Sequence, residues 1–212
     1  VNNDSGFSIV SYTGTGSNGT VKHGLNSVPK MFIVKELSNA NSWEVYHVSQ
    51  GAGKNAQLNT TAAFESAGSS RWNSTAPTSS VFSIGTDSGV NRSSSNFITY
   101  CFAEKQGYLK TGKWIGNGNN DGPFSFCGFK PAFIMIKRTD VAKNWYINDN
   151  LRLGYNINNP YISPNITAAE TGGTEIDILS NGFKIRASGT GHNQSGGTYI
   201  YMAFAEAPLV GS

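Results

Sequence analysis

The sequence predicts an all-β fold made of two tandem antiparallel β-sandwich, jelly-roll-like units that arose by internal duplication. Three observations predict it: residues that return in order after 102 positions, a composition poor in helix formers, and short apolar runs separated by turn clusters. The expected units are residues 1–105 and 106–212.

The repeat is carried by residues that recur in the same order along both halves of the chain. Shared residues are expected to hold the fold, whereas unshared residues are candidates for function. The main matched pairs are Phe102-Ala103-Glu104 with Phe204-Ala205-Glu206, Trp43 with Trp145, Pro29 with Pro131, and Gly14-Thr15-Gly16 with Gly116-Asn117-Gly118.

Composition supports a turn-rich β protein and excludes several functions. Charged residues make up 14% and aromatic residues 12% of the chain, and Gly occurs 25 times in 212 residues. The aromatic side chains supply large buried areas, which argues against disorder. A net charge of +3 with scattered Lys and Arg does not indicate a nucleic-acid partner. No apolar run approaches the roughly 20 residues of a membrane helix, so we expect no membrane insertion.

The elements of the first unit follow from apolar runs that end at turns. Phe7–Tyr12 alternates loosely and stops before a Gly-Thr-Gly turn, and Lys30–Glu36 is a β-branched and aromatic run just after Pro29. Ser42–Val48 alternates between two faces. The remaining predicted strands of this unit are Val81–Ile84 and Phe97–Ala103.

The second unit repeats this order and adds a hairpin. Asn181-Gly182 is a strong hairpin signal between two short apolar runs. The predicted strands are Tyr108–Ile115, Phe124–Cys127, Ala132–Thr139, Asn144–Asn148, Glu175–Leu179, Phe183–Ala187 and Thr198–Glu206.

Two structural expectations concern cysteines and charges. Cys101 and Cys127 are not repeat-equivalent and lie in apolar strands, so we expect two buried free thiols rather than a disulfide. Glu104 with Lys35, and Glu206 with Lys137, end matched strands, and we expect a structural Glu–Lys contact within each unit.

The sequence predicts no catalytic, metal-binding or cofactor-binding residues. His23, His47 and His192 are each isolated, so a zinc site is not expected. The loop from Asn117 to Gly122 has oxygen ligands but a single carboxylate, which favours a plain turn over a calcium loop. No Gly-x-Ser-x-Gly elbow and no phosphate-binding loop is present.

Candidate binding residues lie in the segments that differ between the two copies, where specificity usually resides. Exposed aromatic rings beside amides and arginine suit sugar or protein surfaces. The alternative is that these rings pack beneath their own loops. The candidates are Arg71, Trp72 and Asn73 in the first copy, and Tyr155, Asn156, Asn158 and Tyr161 in the second.

The second copy resembles, over its whole length, a repeat family of tail and virion structural proteins of tailed, often marine, bacteriophages; the first copy is more divergent. The resemblance is carried by Gly107–Gly118, Gly128–Thr139, Trp145-Tyr146 and Tyr199–Glu206. It implies a non-enzymatic module of a virion appendage, such as a tail fibre, located on the virion or outside cells. The implied partners are a bacterial cell-surface glycan or protein, other virion proteins, and further copies of the chain in a trimer or fibre.

Two other functions stay open at this stage. The chain could be a purely structural subunit of a fibre or extracellular filament that acts through self-assembly. It could also be a polysaccharide depolymerase, which needs two carboxylates facing each other across a groove. The clustered acids available for that role are Asp140, Asp149, Glu170 and Glu175.

Overall fold

The computed structural model describes residues 1–152, 156 and 160–206. The fold is nearly all β, with 42% strand and 2% helix, and its sheets are antiparallel, as the sequence predicts. The chain forms two compact units: unit 1 comprises residues 1–59 and 64–104, and unit 2 comprises residues 60–63 and the chain from Lys105 onwards. Residues 60–63 belong with unit 2 because the Thr61 carbonyl accepts hydrogen bonds from Lys143 N at 2.8 Å and Lys137 Nζ at 3.0 Å.

Unit 1 is a sandwich of a large and a small sheet. The large sheet has the order β1-β8-β3-β4-β5-β6, and the small sheet pairs β2 with β7. A single helical turn, α1, precedes the closing strand. The elements are β1 (Phe7–Thr13), β2 (Gly19–Lys22), β3 (Met31–Glu36), β4 (Trp43–His47), β5 (Lys54–Gln57), β6 (Glu65–Ser66), β7 (Val81–Ile84), α1 (Ser88–Asn91) and β8 (Asn96–Phe102).

Unit 2 repeats the same pairing. Its large sheet has the order β13-β12-β11-β16-β9, and its small sheet has the order β10-β15-β14. The elements are β9 (Leu109–Ile115), β10 (Phe124–Phe126), β11 (Pro131–Arg138), β12 (Trp145–Asp149), β13 (Tyr161–Ile162), β14 (Ile176–Leu179), β15 (Gly182–Ile185) and β16 (Thr198–Ala205). The order β1-β8-β3-β4 of unit 1 thus returns as β9-β16-β11-β12.

Each unit encloses its own core between its two sheets. In unit 1, Phe32 and Tyr46 of the large sheet face Phe82 of the small sheet. In unit 2, Ile134 of the large sheet shares a core with Ile178 and Phe183 of the small sheet. Burial of each such side chain contributes about 1.5–3 kcal/mol, so either core can stabilise its unit.

The predicted strands are all present, with ends within two residues of those observed. The sequence did not reveal β2, β5, β6, β13 or α1, each of which has only two to four residues. The hairpin at Asn181-Gly182 is also present, but Gly182 pairs with Leu179 as the first residue of β15. Cys101 and Cys127 are both free and buried, as expected.

The expected Glu–Lys contacts are wrong, and the antiparallel register explains why. Lys137 lies opposite Ile200, far along β16 from Glu206. Glu206 Oε2 instead lies 2.7 Å from Lys130 Nζ. In unit 1, Lys35 likewise lies opposite Ile98, at the other end of β8 from Glu104, and its ammonium donates to the Asn41 carbonyl.

Candidate functional site

Trp72 lies in the core of unit 1, so its expected role at an exposed binding loop is wrong. Its exposed fraction is 0%. The ring packs edge-on against Phe32, with centroids 5.0 Å apart, and Nε1 donates to the Lys54 carbonyl at 3.1 Å. The alternative, that the ring packs beneath its own loop, is correct for Trp72.

Arg71 compensates a buried carboxylate rather than facing a ligand. Glu44 of β4 is 2% exposed, and its Oε2 accepts from Asn55 Nδ2 at 2.5 Å. Arg71 Nε lies 3.3 Å from the same oxygen, and Arg71 also forms an ion pair with Asp87. A buried carboxylate without such partners would be strongly destabilising. The neighbouring Asn73 is half-buried in a turn with φ of 49°.

Of the candidates in unit 2, Tyr155 and Asn158 lie outside the described residues. Asn156 has a clear structural role. Its Nδ2 donates to the Ile178 carbonyl at 2.6 Å, and its Oδ1 accepts from Ile178 N. Because Ile178 lies in β14, the side chain of Asn156 pairs with that strand as a neighbouring strand would.

Tyr161 lies half-buried in β13 and belongs to a polar aromatic cluster. Its ring packs edge-on against Tyr146 at 5.1 Å and lies 5.6 Å from the ring of His192. The ring of Tyr146 lies 4.3 Å from that of His192. Glu175 completes the group, since its Oε2 lies 3.3 Å from His192 Nδ1. We call Tyr146, Tyr161, Glu175 and His192 the tyrosine–histidine cluster.

Burial controls the protonation of this cluster. It lowers the pKa of His192 to about 4 and raises the pKa of Glu175 above its usual value. It also raises the pKa of Tyr146 to about 12. At neutral pH the imidazole is therefore uncharged, and we assign its proton to Nδ1, facing Glu175. Nε2 is buried and has no hydrogen-bond partner among the described residues.

A histidine oriented by a carboxylate can act as a general base, but only where a substrate can reach it. His192 is 4% exposed, and Tyr146 and Tyr161 cover its ring. The cluster is therefore better suited to fixing the position of β13 than to transferring a proton. It can also respond to acid.

The place of the cluster in unit 2 has an equivalent in unit 1, where the residues are of a different chemical type. Tyr146 corresponds to Glu44 of unit 1, and each packs against a matched glycine. A Cβ on Gly191 would lie 2.6 Å from Tyr146 Oη, and one on Gly89 would lie 3.0 Å from Glu44 Oε1. Sequence reasoning treated His192 as isolated, although its counterpart, Val90, is apolar. That difference singles out His192 in the sequence, although it does not identify Tyr146, Tyr161 and Glu175 as its neighbours.

The acids considered for polysaccharide cleavage are held in ion pairs or in this cluster. Arg138 makes two hydrogen bonds to Asp140, at 2.9 and 2.8 Å, and holds the pKa of that carboxyl near 2. Asp149 and Glu170 both pair with Arg152. Because both carboxylates bind the same guanidinium, they are drawn to one cation instead of facing each other across a cleft.

Unit 1 has a groove of about 350 Å³ along β1 and β2. Hydroxyl groups and one ammonium supply much of its polar lining, which includes Thr13, Thr15, Thr20 and Lys22. This lining provides hydrogen bonds but no nucleophile with an adjacent base.

Across residues 1–152, 156 and 160–206, no group of three or more His, Cys, Asp and Glu side chains is arranged to hold a metal ion. In the same part of the chain, no helix has the length and apolarity needed to cross a membrane.

Comparison with known proteins identifies a family without an assigned activity. Neither the curated proteins nor the solved structures give a significant match to this chain. The family model described as a domain of unknown function, DUF7483, matches residues 1–208 and therefore spans both units. The chain belongs to the DUF7483 family.

Proposed function

We propose that the chain is a non-enzymatic module of a virion appendage, such as the tail fibre of a tailed bacteriophage, that adheres to a receptor on the bacterial surface. A surface glycan is the favoured receptor. The sequence resemblance of unit 2 to phage tail repeats motivates the proposal. The observation that carries it is the anchoring of the segment between β12 and β14, which bears tyrosines absent from unit 1.

This segment is attached to the sandwich at two described points. Asn156 pairs with Ile178 of β14, and Tyr161 pairs with Asn148 of β12. A loop that is held in place before binding loses less conformational entropy when a ligand arrives. Weak sites of this kind add through multivalency when an appendage carries several copies.

A non-enzymatic role is supported by the pairing of the unit 2 carboxylates. Asp140 is held by Arg138, and Asp149 and Glu170 by Arg152. Glycoside hydrolysis needs one carboxyl that is kept protonated and a second that is free to act as nucleophile or base. Each of these three carboxylates is held by a guanidinium, whereas the fourth candidate acid, Glu175, lies against the buried ring of His192.

The test is binding of the labelled chain to an array of purified bacterial lipopolysaccharides and capsular polysaccharides. We expect saturable binding to a subset of them. Asn158→Ala should weaken it, whereas Asn26→Ala, which removes an exposed amide of unit 1, serves as the control and should not. Absence of binding to every polysaccharide, and to whole bacterial cells, would overturn the adhesion proposal. Release of reducing ends would favour the depolymerase alternative.

A second candidate function is assembly into a fibre, and exposed sheet edges favour it. β1 and β9 are edge strands, and they carry Ile9 and Ile115 with exposed fractions of 51% and 66%. Unpaired edges with apolar side chains can pair with another chain. Light scattering after size exclusion would test this, because assembly predicts a trimer or polymer and a module predicts a monomer.

A further inference from the structure

Two phenylalanines of unit 2 point into solvent from one short strand. Phe124 and Phe126 have exposed fractions of 45% and 61%, whereas Ser125 between them is buried. Alternate residues of a strand share a face, so both rings lie on the outer face of the small sheet, and their Cα atoms are about 6.6–6.8 Å apart along β10. Large aromatic side chains are seldom left this exposed without a partner.

Both rings lie beside a glycine. A Cβ on Gly182 would lie 3.0 Å from Phe124 Cζ, and one on Gly128 would lie 3.7 Å from Phe126 Cε1. Gly182 of β15 pairs with Phe126 of β10, whereas Phe124 pairs with Lys184. The ring of Phe124 therefore extends from its own residue pair towards the pair formed by Phe126 and Gly182. One side of each ring therefore lies against a glycine. We call Phe124 and Phe126 the aromatic shelf.

Polar groups border the aromatic shelf on the same face. Lys184 lies opposite Phe124, and Asp177 lies opposite Lys184 on the next strand. Lys184 Nζ is 2.8 Å from Asp121 Oδ1, and Arg186 pairs with Asp177. These ion pairs are partly exposed, so they place donors and acceptors within reach of a ligand on the shelf.

Unit 1 shows that the fold does not need these rings. Val21 pairs with Phe82 in unit 1 as Ser125 pairs with Phe183 in unit 2. The same register therefore places Thr20 where Phe124 stands and Lys22 where Phe126 stands; both are exposed. The residue at the position of Gly182 is Val81. The same sandwich thus forms with polar side chains and no glycine at this place.

We infer that the aromatic shelf is a glycan-binding subsite, on which sugar rings stack while their hydroxyls hydrogen-bond to Lys184 and Asp177. The apolar C–H face of a sugar packs on an aromatic face, and the two flat rings provide such faces. The exposed apolar surface consists of the two rings and the adjacent Leu179. A stable protein interface is much larger, with about 20–30 residues from each partner. The size and the polar border therefore favour a sugar over a second protein. This inference rests on the proposed function and adds a position for the glycan.

In the test variant, F124T/F126K, each phenylalanine is replaced by the residue found at the equivalent place in unit 1. We expect it to bind an array-identified polysaccharide at least about tenfold more weakly than the unsubstituted chain, because two stacking faces are lost. Its thermal unfolding and circular dichroism should stay close to those of the unsubstituted chain. T20A/K22A at the equivalent place in unit 1 is the control and should bind normally.

The outcomes separate the two proposals. If F124T/F126K folds and binds as tightly as the unsubstituted chain, the shelf is not the subsite and adhesion occurs elsewhere. If the unsubstituted chain binds whole bacterial cells but no polysaccharide, the adhesion proposal stands and the glycan assignment is overturned. If it binds neither, the proposed function fails as well. Concentration-dependent dimerisation that F124T/F126K abolishes would identify a second copy as the occupant and overturn the inference.

A measurement on the unsubstituted chain covers the case in which F124T/F126K does not fold. Fluorophenylalanine is incorporated, and the fluorine resonances of positions 124 and 126 are assigned with the single variants Phe124→Leu and Phe126→Leu. Addition of the bound polysaccharide should shift both resonances but not that of the buried Phe183. Unchanged resonances at saturating polysaccharide would overturn the inference.

Discussion

Asn91 and Asn193, 102 positions apart and both fully buried, close the same loop in the two units. Asn91 Oδ1 accepts from Thr15 N at 2.8 Å, and Asn193 Oδ1 accepts from Asn117 N at 2.9 Å. In the same way, Asn91 Nδ2 donates to the Ser17 carbonyl and Asn193 Nδ2 to the Asn119 carbonyl, at 2.6 and 2.7 Å. One buried amide therefore satisfies the backbone of the turn that follows the first strand of each unit.

Replacing either amide should destabilise its unit. Asn193→Ala leaves the Asn117 N–H and the Asn119 carbonyl without their partner, and each unsatisfied buried group costs about 1–3 kcal/mol. We expect the free energy of unfolding to fall by roughly 2–4 kcal/mol in urea titrations, and Asn91→Ala to behave alike. Asn193→Asp keeps the acceptor but loses the Nδ2 donor, so it should also destabilise. A change below about 0.5 kcal/mol in the alanine variants would contradict the assigned role.

Trp72→Phe should reduce stability without reducing adhesion. The substitution removes the hydrogen bond from Nε1 to the Lys54 carbonyl and leaves a void in the core of unit 1. We expect a loss of roughly 1–3 kcal/mol in the free energy of unfolding. Polysaccharide binding, measured at a temperature where the variant is folded, should equal that of the unsubstituted chain. Weaker binding by the folded variant would restore Trp72 as a contact residue.

His192 should make unit 2 sensitive to acid. Its pKa falls from 6.5 to about 4 on folding, so the unfolded chain binds more protons between these values. Stability is therefore lost as the pH drops through this window, by up to roughly 3 kcal/mol. The raised pKa of Glu175 acts in the opposite direction, because the folded state then binds more protons. The measurement is the free energy of unfolding as a function of pH.

The control for this prediction is His192→Val, which introduces the residue found at the equivalent place in unit 1. The difference in unfolding free energy between the unsubstituted chain and this variant should depend on pH only between about 4 and 6.5. A difference that does not vary across this window would show that His192 titrates normally.

Lys137 should produce a dependence of the same sign at alkaline pH. Burial lowers the pKa of its ammonium from 10.5 to about 8, so the folded state carries the cost of the buried charge below pH 8. Between about 8 and 10.5 the unfolded chain binds more protons, and stability rises with pH. Relative to Lys137→Met, we expect the unsubstituted chain to gain roughly 2–3 kcal/mol across this range. A constant difference in unfolding free energy would contradict the shift.

The cysteines should be unreactive in the folded protein. Burial raises the pKa of both thiols, Cys101 and Cys127, to about 12, and the thiolate is the nucleophile. Iodoacetamide at mildly alkaline pH should leave the native chain unmodified and alkylate both residues in guanidinium chloride, as read by intact mass. Rapid labelling of either thiol in the native chain would indicate local opening of its strand.

Several contacts of the candidate site could not be predicted from the sequence. The unmatched aromatic segments differ between the two units, yet Trp72 lies in the core and Asn156 pairs with a strand. A residue in a polar loop can be exposed, or it can turn inward under the loop, and the local sequence is compatible with both. The tyrosine–histidine cluster joins residues from four separate segments, so no spacing along the chain could reveal it.

The sequence by itself determined the all-β class, the duplication, the main strands and the buried thiols. These follow from local alternation and from a long ordered repeat, both of which are properties of the chain. Only the tertiary structure decided that Glu206 meets Lys130, that β2 and β10 pair with β7 and β15, and that Phe124 and Phe126 face outward. Strand register and sheet packing join residues distant in the chain, and a shift of one residue in register would turn each of these side chains to the other face.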